Sequence, residues 1–275
     1  MEKERDAALL YFKFLKLLGL ERKSPSLEAL SELVNAHFSK IPFENISKIY
    51  YKEQFNLQSI PSFSQYLNGI SENNFGGTCY ANNYFFYKLL QFIGYNVILC
   101  GADMKEPDVH IVIIVTLNNF EYLVDVGNAS LFLQPLPLFL KKDYTIIEGG
   151  NKYILNPRNA QANSKLEIIK HGVSKQGYLV KPIAKNINDF SEAISSSFRY
   201  DSIFLNSLLI TKYISGKFYS IHNHELTVSK NDNFETRQIS GSNELCYLIE
   251  KIIKIPASIS KTVLNSIVSL KNVWS

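Results

Sequence analysis

The sequence predicts an α+β protein, in which a helical first third is followed by strand-rich regions. Apolar residues repeat at helical spacing near the start, as Leu10, Phe14 and Leu17 do, and again over 84–93. Further along, the pattern changes to short runs rich in β-branched residues, such as 109–116. Helices that precede strands, rather than alternating with them, are typical of the α+β class.

Composition excludes several classes of protein. The chain has 275 residues, 46% hydrophobic and 20% charged, which favours a sizeable core over disorder. Its net charge of +4, without a dense basic run, disfavours nucleic acid as a partner. No apolar run approaches the roughly 20 residues that span a membrane, and the charged first residues lack a signal-peptide core. We therefore expect a cytoplasmic protein without a membrane partner, as a monomer or weak homo-oligomer.

Cysteine and histidine spacing indicates no metal site. The three cysteines are widely spaced and form no CxxC pair, so neither a disulfide framework nor a zinc ribbon is predicted. His222 and His224 would share one face of a strand, but no carboxylate or cysteine at a recognisable spacing completes a ligand set. His37, near the end of a predicted helix, is expected to be structural rather than catalytic.

The residues around Cys79 predict an activated thiol. Gly76 and Gly77 form a tight turn before the cysteine, and an apolar helix begins almost at once. Unpaired N–H groups at a helix start carry partial positive charge, which favours a thiolate over a thiol. A buried cysteine in an ordinary loop-to-helix joint is the alternative. Residues downstream favour the reactive thiol.

A predicted hairpin brings a histidine and a carboxylate together. The asparagines at 118–119 suit a two-residue turn between two strands. With that turn, Val112 lies opposite Asp125, and His110 lies on the same face as Asp125, diagonal to it. Such diagonal positions are about 7–8 Å apart, within reach of long side chains.

Cys79, His110 and Asp125 together form a candidate catalytic set. The cysteine would attack an acyl group, the histidine would exchange the proton, and the aspartate would orient the imidazole. Backbone N–H groups around Cys79 and Tyr80 would stabilise the oxyanion. This set supports acyl transfer through a thioester, and it leaves open whether water or an amine accepts the acyl group.

The segment after Pro42 has two interpretations. Glu44 and Asn45 lie between apolar residues, so they form a polar network that fixes the loop, or Phe43 lies in a pocket wall, and the two interpretations are compatible. We predict an extended turn here. Residues 50–72 are predicted to form a connecting segment with one short helix near 62–67.

The sequence resembles the arylamine N-acetyltransferase family over most of its length. The matching blocks, in order, are Tyr11 to Leu20, His37 through Ile41-Pro42-Phe43-Glu44-Asn45, Gly76-Gly77-Thr78-Cys79 with Asn83, His110, and Tyr122 through Asp125-Val126-Gly127. The resemblance implies a papain-like cysteine transferase fold. It would have a helical bundle over 1–95, a β-barrel over 96–195 and an α/β lid over 196–275.

The resemblance also implies ping-pong chemistry. Acetyl-CoA would acetylate the cysteine, and an arylamine, hydrazine or arylhydroxylamine would then accept the acetyl group, with no metal involved. The implied substrate-binding residues are Phe43, Thr78 and Asn128. Gly127 and Ala129 are the implied contacts to the coenzyme A thioester.

The chain departs from the family pattern in places. Phe75 stands where the family usually has arginine, and Ala81 where it has glutamate. Those two family residues pair with each other, so their joint loss leaves no unpaired charge, and we predict an intact fold. Asn128 and Ala129 replace an aromatic residue and a glycine, which alters the expected acceptor pocket. The alternatives are therefore an amide synthase or thioester hydrolase with the same triad, or a catalytically decayed relative that binds a ligand.

Overall fold

The computed structural model describes residues 2–170, 172–231, 233–267 and 270–271, and it confirms the α+β prediction. The elements up to residue 93 are α1 (Glu2–Leu18), α2 (Leu27–Lys40), β1 (Phe43–Glu44), α3 (Ile46–Phe55), α4 (Phe63–Asn73) and α5 (Cys79–Ile93). Within the described ranges, no helix is both long and apolar enough to cross a membrane.

Helix α3 corrects the prediction of an extended turn and a connecting segment. Its first turn is capped by a carboxylate, because Glu44 Oε2 accepts a hydrogen bond from the Ser47 N–H at 2.8 Å. Ile46 and Ile49 on one face are buried, and the helix ends at Asn56, which adopts a left-handed conformation with φ of 51°. The cap and the apolar face explain the helix.

An eight-stranded antiparallel sheet, curled into a half-barrel, follows the helices. Its strands are β2 (Asn96–Asp103), β3 (His110–Leu117), β4 (Phe120–Val124), β5 (Leu136–Pro137), β6 (Tyr144–Glu148), β7 (Asn151–Leu155), β8 (Ser164–Lys170) and β9 (Val173–Ala184). They lie in the order β5-β4-β3-β2-β9-β8-β7-β6. The hairpin register is confirmed, because Leu117 pairs with Phe120. Asn118 and Asn119 between them have φ of 49° and 65°.

A second antiparallel sheet forms from the C-terminal part of the chain. Its strands are β10 (Leu209–Ile214), β11 (Lys217–His222), β12 (Glu225–Lys230) and β13 (Asn233–Gln238). Its accompanying helices are α6 (Ser191–Ser196), α7 (Ile203–Asn206), α8 (Gly241–Leu248) and α9 (Ala257–Ser266), with a 3₁₀ turn at Ile187–Phe190 and a π-helical turn at Ile249–Ile253. The short strand β1 pairs with β10, so the loop that precedes the glycine turn is joined to this sheet.

Two apolar cores meet near the glycine turn. One core joins α1, α2, α4 and α5 to the half-barrel and includes Cys79. The other joins α3 to the C-terminal sheet and helices and includes Phe75. The turn between these two residues is therefore fixed by packing on both sides. The division into domains at 95 and 195 stays a prediction.

His37 is a structural residue of the first core. Its side chain is fully buried, and within the described structure neither ring nitrogen has a hydrogen-bond partner. The rings of Phe14, Phe38 and Phe86 surround it, with centroids 5.4 to 6.5 Å away. Burial lowers its pKa to about 3, so the imidazole is neutral in the folded protein at ordinary pH.

Replacing His37 with leucine is expected to make the protein more resistant to acid. The pKa of His37 is about 3 in the folded state against an ordinary 6.5. Between these values the unfolded chain binds an extra proton, so wild-type stability falls as the pH falls. At pH 4 this linkage amounts to roughly 3 kcal/mol of unfolding free energy, which the leucine variant would not lose. Urea unfolding of both proteins at pH 7 and pH 4 measures the difference, and equal losses would contradict it.

Candidate active site

A buried carboxylate fixes the glycine turn that precedes α5. The Gly76 N–H donates to Glu44 Oε1 at 2.9 Å, and the Glu44 N–H donates to the Gly77 carbonyl at 3.1 Å. A Cβ on Gly76 would lie 1.9 Å from the carbonyl oxygen of Pro42, so a larger residue does not fit without displacement. Cys79 follows as the first residue of the helix.

Glu44 and Asn45 form the polar network that the sequence left as one of two interpretations. Burial raises the pKa of Glu44, and its hydrogen bonds to Ser47 and Gly76 act in the opposite direction. Among the described residues, Glu44 forms no ion pair. The Asn45 amide donates to the carbonyls of Phe204 and Ser207 at 2.8 and 2.6 Å, and its oxygen accepts from Leu209. The network thus ties the turn to the C-terminal sheet.

Cys79, His110 and Asp125 lie side by side. His110 is the first residue of β3, and its Nε2 is 2.8 Å from Asp125 Oδ2. The Cys79 side chain lies close enough to His110 to raise the pKa of the imidazole. All three residues are buried, with exposed fractions of 5%, 4% and 3%. A thiol, an imidazole and a carboxylate therefore form one row, shielded from solvent.

His110 and Asp125 largely determine each other's protonation states. Burial would lower the pKa of His110, but the charge of Asp125 and the hydrogen bonds to Asp125 and Cys79 outweigh it and raise the pKa to about 10. Burial would likewise raise the pKa of Asp125, and the His110 charge together with hydrogen bonds lowers it instead. At neutral pH the imidazole is protonated and the carboxylate is ionised.

Further groups hold Asp125 in place. Its Oδ1 accepts from the Asn83 amide at 2.8 Å and from the Gly127 N–H at 3.1 Å. Its Oδ2 accepts from the Tyr178 hydroxyl at 2.8 Å and from the Asn128 amide at 3.3 Å. These donors favour the ionised form of the carboxylate and leave it little freedom to rotate.

Sequence reasoning did not find Tyr178. It lies on β9, and its ring centroid is 5.0 Å from that of His110. Burial and the charge of Asp125 raise its pKa well above its ordinary value, so the phenol stays protonated and donates. No local pattern signals this role, because it depends on β9 pairing with β2 across about 80 residues of chain.

Gly127 allows the end of β4 to approach the start of α5. A Cβ at this position would lie 2.8 Å from Cα of Cys79 and 2.6 Å from Nδ2 of Asn83. Asn83 Oδ1 accepts from the Val126 and Gly127 N–H groups at 2.9 and 3.1 Å. This close contact is what brings Asp125 to the same helix that carries the cysteine.

The other predicted site residues are Thr78, Phe43, Asn128 and Ala129, and each has its own surroundings. Thr78 precedes α5, and in the described structure its side chain accepts no capping hydrogen bond, which leaves the first N–H groups of the helix available. Phe43 is buried, with its ring 6.4 Å from that of Phe204. Asn128 contacts Asp125, and Ala129 beside it is half-buried. Contacts of Phe43, Thr78 and Asn128 with a substrate stay predictions. Contacts of Gly127 and Ala129 with a coenzyme A thioester also stay predictions.

Two of the departures from the family pattern, Phe75 and Ala81, are buried and apolar. Phe75 is 1% exposed and packs against the rings of Tyr50 and Tyr51, with centroids 5.7 Å away in each case. Ala81 is buried in the other core, where its methyl group would be 2.8 Å from a Cβ built on Gly77. The substitutions are accommodated separately, each in its own core.

A pocket adjoins the start of α5. The space inside it, which is continuous with open solvent, measures about 400 Å³. Lys48, Thr78, Ala81 and Phe198 are among the residues that line it. Across the described part of the chain, no group of three or more acidic, histidine or cysteine side chains is arranged to bind a metal ion.

Tyr178→Phe is expected to lower kcat/KM by roughly 10-fold, because a hydrogen bond to a buried charge is worth about 1.5–3 kcal/mol. Losing this donor also raises the pKa of Asp125, so the acid limb of the pH–rate profile moves to higher pH. Tyr122→Phe, on strand β4 of the same sheet, is the matched control and is expected to leave the profile unchanged. Identical profiles for Tyr178→Phe and the control would contradict this role.

Known proteins are similar to this chain in sequence. The model of the N-acetyltransferase family matches residues 26–262. The arylamine N-acetyltransferase pineal gland isozyme of Gallus gallus is 32% identical over 154 residues, 52% of this chain and 51% of that protein. Proansamycin X synthase of Amycolatopsis mediterranei is 23% identical over 241 residues, 82% of this chain and 90% of that protein.

Solved structures show the same fold. The arylamine N-acetyltransferase of Mycobacterium abscessus superposes with a TM-score of 0.79 at 19% identity, over 92% of this chain and 93% of that one. The Mycobacterium marinum enzyme in complex with CoA gives a TM-score of 0.79 at 17% identity, over 93% and 98% of the two chains. In the sequence alignments with the pineal gland and liver isozymes of arylamine N-acetyltransferase from Gallus gallus, the chain spans about half of their length.

The chain has the α+β fold of those solved structures, and its helical part and curled sheet meet at a buried cysteine. The family match covers 237 of the 275 residues, counted from 26 to 262, well over half of the chain. The chain belongs to the arylamine N-acetyltransferase family.

Proposed function

We propose that the protein transfers an acetyl group from acetyl-CoA, through a thioester on Cys79, to the nitrogen of an arylamine, hydrazine or arylhydroxylamine. The main support is the hydrogen bond between His110 and Asp125, together with a buried Cys79 close enough to raise the pKa of the same imidazole. A second support is membership of the family, whose named relatives are arylamine N-acetyltransferases.

In the first half-reaction, the Cys79 thiolate attacks the acetyl carbon of acetyl-CoA. The His110 imidazolium donates its proton to the departing CoA sulfur, so CoA leaves as a thiol and the imidazole becomes neutral. N–H groups at the start of α5, around Cys79 and Tyr80, stabilise the oxyanion of the tetrahedral intermediate. The products are free CoA and an S-acetyl cysteine.

In the second half-reaction, the amine nitrogen attacks the thioester carbonyl. Neutral His110 accepts the proton from that nitrogen, the carbon–sulfur bond breaks, and the cysteine leaves as a thiolate beside an imidazolium. Asp125 stays ionised in both halves and fixes the ring orientation through Nε2. The acetyl group ends on nitrogen, and the starting charges are restored.

Steady-state kinetics with acetyl-CoA and an aromatic amine test this proposal. Ping-pong transfer gives parallel double-reciprocal plots, and N-acetylated amine forms in equal amount to free CoA. Intersecting plots, or no N-acetyl product, would contradict it.

A second candidate function is that of an amide synthase with the same thioester chemistry. It is favoured by the similarity to proansamycin X synthase over 82% of the chain. A hydrolase would release CoA at the same rate with and without an amine. An amide synthase would require an acyl chain and amine of its own and would transfer acetyl to simple arylamines poorly. The CoA release rate with and without amine, measured beside the N-acetyl product, separates these activities.

A further inference from the structure

The last strand of the C-terminal sheet, β13, is an open edge. All six of its residues are exposed, and β12 pairs with one side of it. Among the described residues, no strand pairs with its other side. The opposite edge of the same sheet is β1, which is only two residues long. An exposed edge strand presents N–H and C=O groups to another strand, so β13 is where this sheet can be extended.

The register of the β12–β13 hairpin determines which backbone groups of β13 face outward. The Ile239 N–H donates to the His224 carbonyl at 2.7 Å, and the ladder continues from there along the whole of β13 without a bulge. Hydrogen-bonded and non-bonded pairs alternate in an antiparallel ladder. Arg237 and Glu235 therefore bond toward β12, whereas the N–H and the carbonyl of Thr236 between them face away from it.

Opposite charges flank Thr236 on one face of β13. Among the described residues, Glu235 forms no ion pair. Arg237 Nη1 binds Glu244 Oε1 at 2.7 Å and contacts the Gln238 carbonyl at 3.4 Å, and its side chain is still 49% exposed. A guanidinium has several N–H donors, so Arg237 can bind a second carboxylate as well.

We propose that a second copy of this chain pairs with β13, antiparallel to it, about a two-fold axis at Thr236. The two Thr236 residues would exchange both of their outward backbone hydrogen bonds. Glu235 of each copy would lie opposite Arg237 of the other, at non-hydrogen-bonded positions, where facing side chains are closest. Such an interface is self-complementary, as a two-fold dimer requires. It joins the two C-terminal sheets at the strands farthest from β1 and the active sites.

The charges of β13 exclude the neighbouring registers. A shift of two residues places Glu235 opposite Glu235 of the second copy, or Arg237 opposite Arg237, and like charges directly opposite are destabilising. A shift of one residue places the outward groups of one strand opposite the inward groups of the other. Charges that ordinarily discourage edge pairing thus select a single register here. One edge strand buries less surface than a standard interface, so we expect a weak dimer.

Sedimentation equilibrium of the purified protein, from about 10 µM to about 1 mM, tests the proposal without any substrate. Wild type is expected to show a monomer–dimer equilibrium. Glu235→Arg and Arg237→Glu each place like charges opposite one another and are expected to weaken association by about 10-fold or more. An equal mixture of these two variants is expected to restore it, because each cross-strand pair then unites an arginine and a glutamate. Lys165→Glu, at an exposed position of β8, is the matched control and is expected to associate as wild type does.

A wild type that stays monomeric at the highest concentration would overturn the inference. So would single variants that associate as wild type does, or a mixture that associates no better than they do alone. If either variant does not fold, as judged by circular dichroism, Thr236→Pro decides the question. Proline removes only the outward N–H and is tolerated on edge strands, so this variant is expected to be a folded monomer. Association of Thr236→Pro at the wild-type level would contradict pairing through β13.

Discussion

Asp125→Asn is expected to lower kcat/KM by about 10³–10⁴-fold, the largest effect of any conservative change in this chain. The charge of Asp125 is the main influence that raises the pKa of His110 to about 10 against the cost of burial. Without it, burial lowers the pKa of the imidazole, and His110 no longer supplies the positive charge that the proposed thioester chemistry needs beside Cys79. A thiol without that charge beside it is the weaker nucleophile.

The variant also damages the hydrogen bonding around the carboxylate. Both oxygens of Asp125 accept from donors, and an amide replaces one acceptor by an NH₂ group that faces donors in either orientation. We therefore expect the free energy of unfolding to fall by roughly 1–3 kcal/mol as well. Asp143→Asn, at an exposed position, is the control and is expected to change neither quantity. Activity above a tenth of wild type in Asp125→Asn would contradict the role given to this carboxylate.

Gly76→Ala is expected to destabilise the protein by roughly 2–4 kcal/mol and to abolish most activity. The added Cβ would lie 1.9 Å from the carbonyl oxygen of Pro42, and that backbone is itself fixed by the pairing of β1 with β10. The turn must shift, and the hydrogen bond from the Gly76 N–H to Glu44 lengthens. Cys79 follows three residues later, so its sulfur moves away from His110.

Gly216→Ala provides the matched control for this substitution. It lies in an open hairpin turn with φ of 78° and nothing within 4 Å of an added Cβ. The cost there is conformational only, about 1 kcal/mol, with activity retained. Urea unfolding and kcat/KM of the two variants measure the contrast. Equal losses in both would show that the glycine turn does not position the cysteine.

The sequence was sufficient to predict the parts of the site that local rules govern. Two asparagines determined a hairpin turn, the turn determined a register, and the register placed His110 and Asp125 on one face. Two glycines before an apolar stretch likewise predicted the helix start at Cys79. In each case a few neighbouring residues carry the information, so no knowledge of the tertiary structure is needed.

The parts that were missed depend on contacts between distant segments. Tyr178 reaches Asp125 only because β9 pairs with β2. Helix α3 was missed because the cap that starts it is a glutamate also held by Gly76, 32 positions further on. The burial of Lys48 requires Phe198 to cover it, and a lysine on a short helix would ordinarily be assigned to solvent.

The proposed function requires that Cys79 is the residue that receives the acetyl group from acetyl-CoA, and mass spectrometry can identify that residue. Intact mass after mixing with acetyl-CoA, in the absence of an amine, is expected to increase by one acetyl group. Peptide mapping is expected to locate that group on Cys79 and on neither Cys100, Cys246 nor Lys48. Cys79→Ser is expected to show no thioester, and adding an aromatic amine to the acetylated wild type is expected to restore the original mass.

A wild-type protein that gains no acetyl group, or gains it at any other residue, would contradict the account. A protein that gains no acetyl group would instead be a relative that retains the fold and binds a ligand without transferring acetyl.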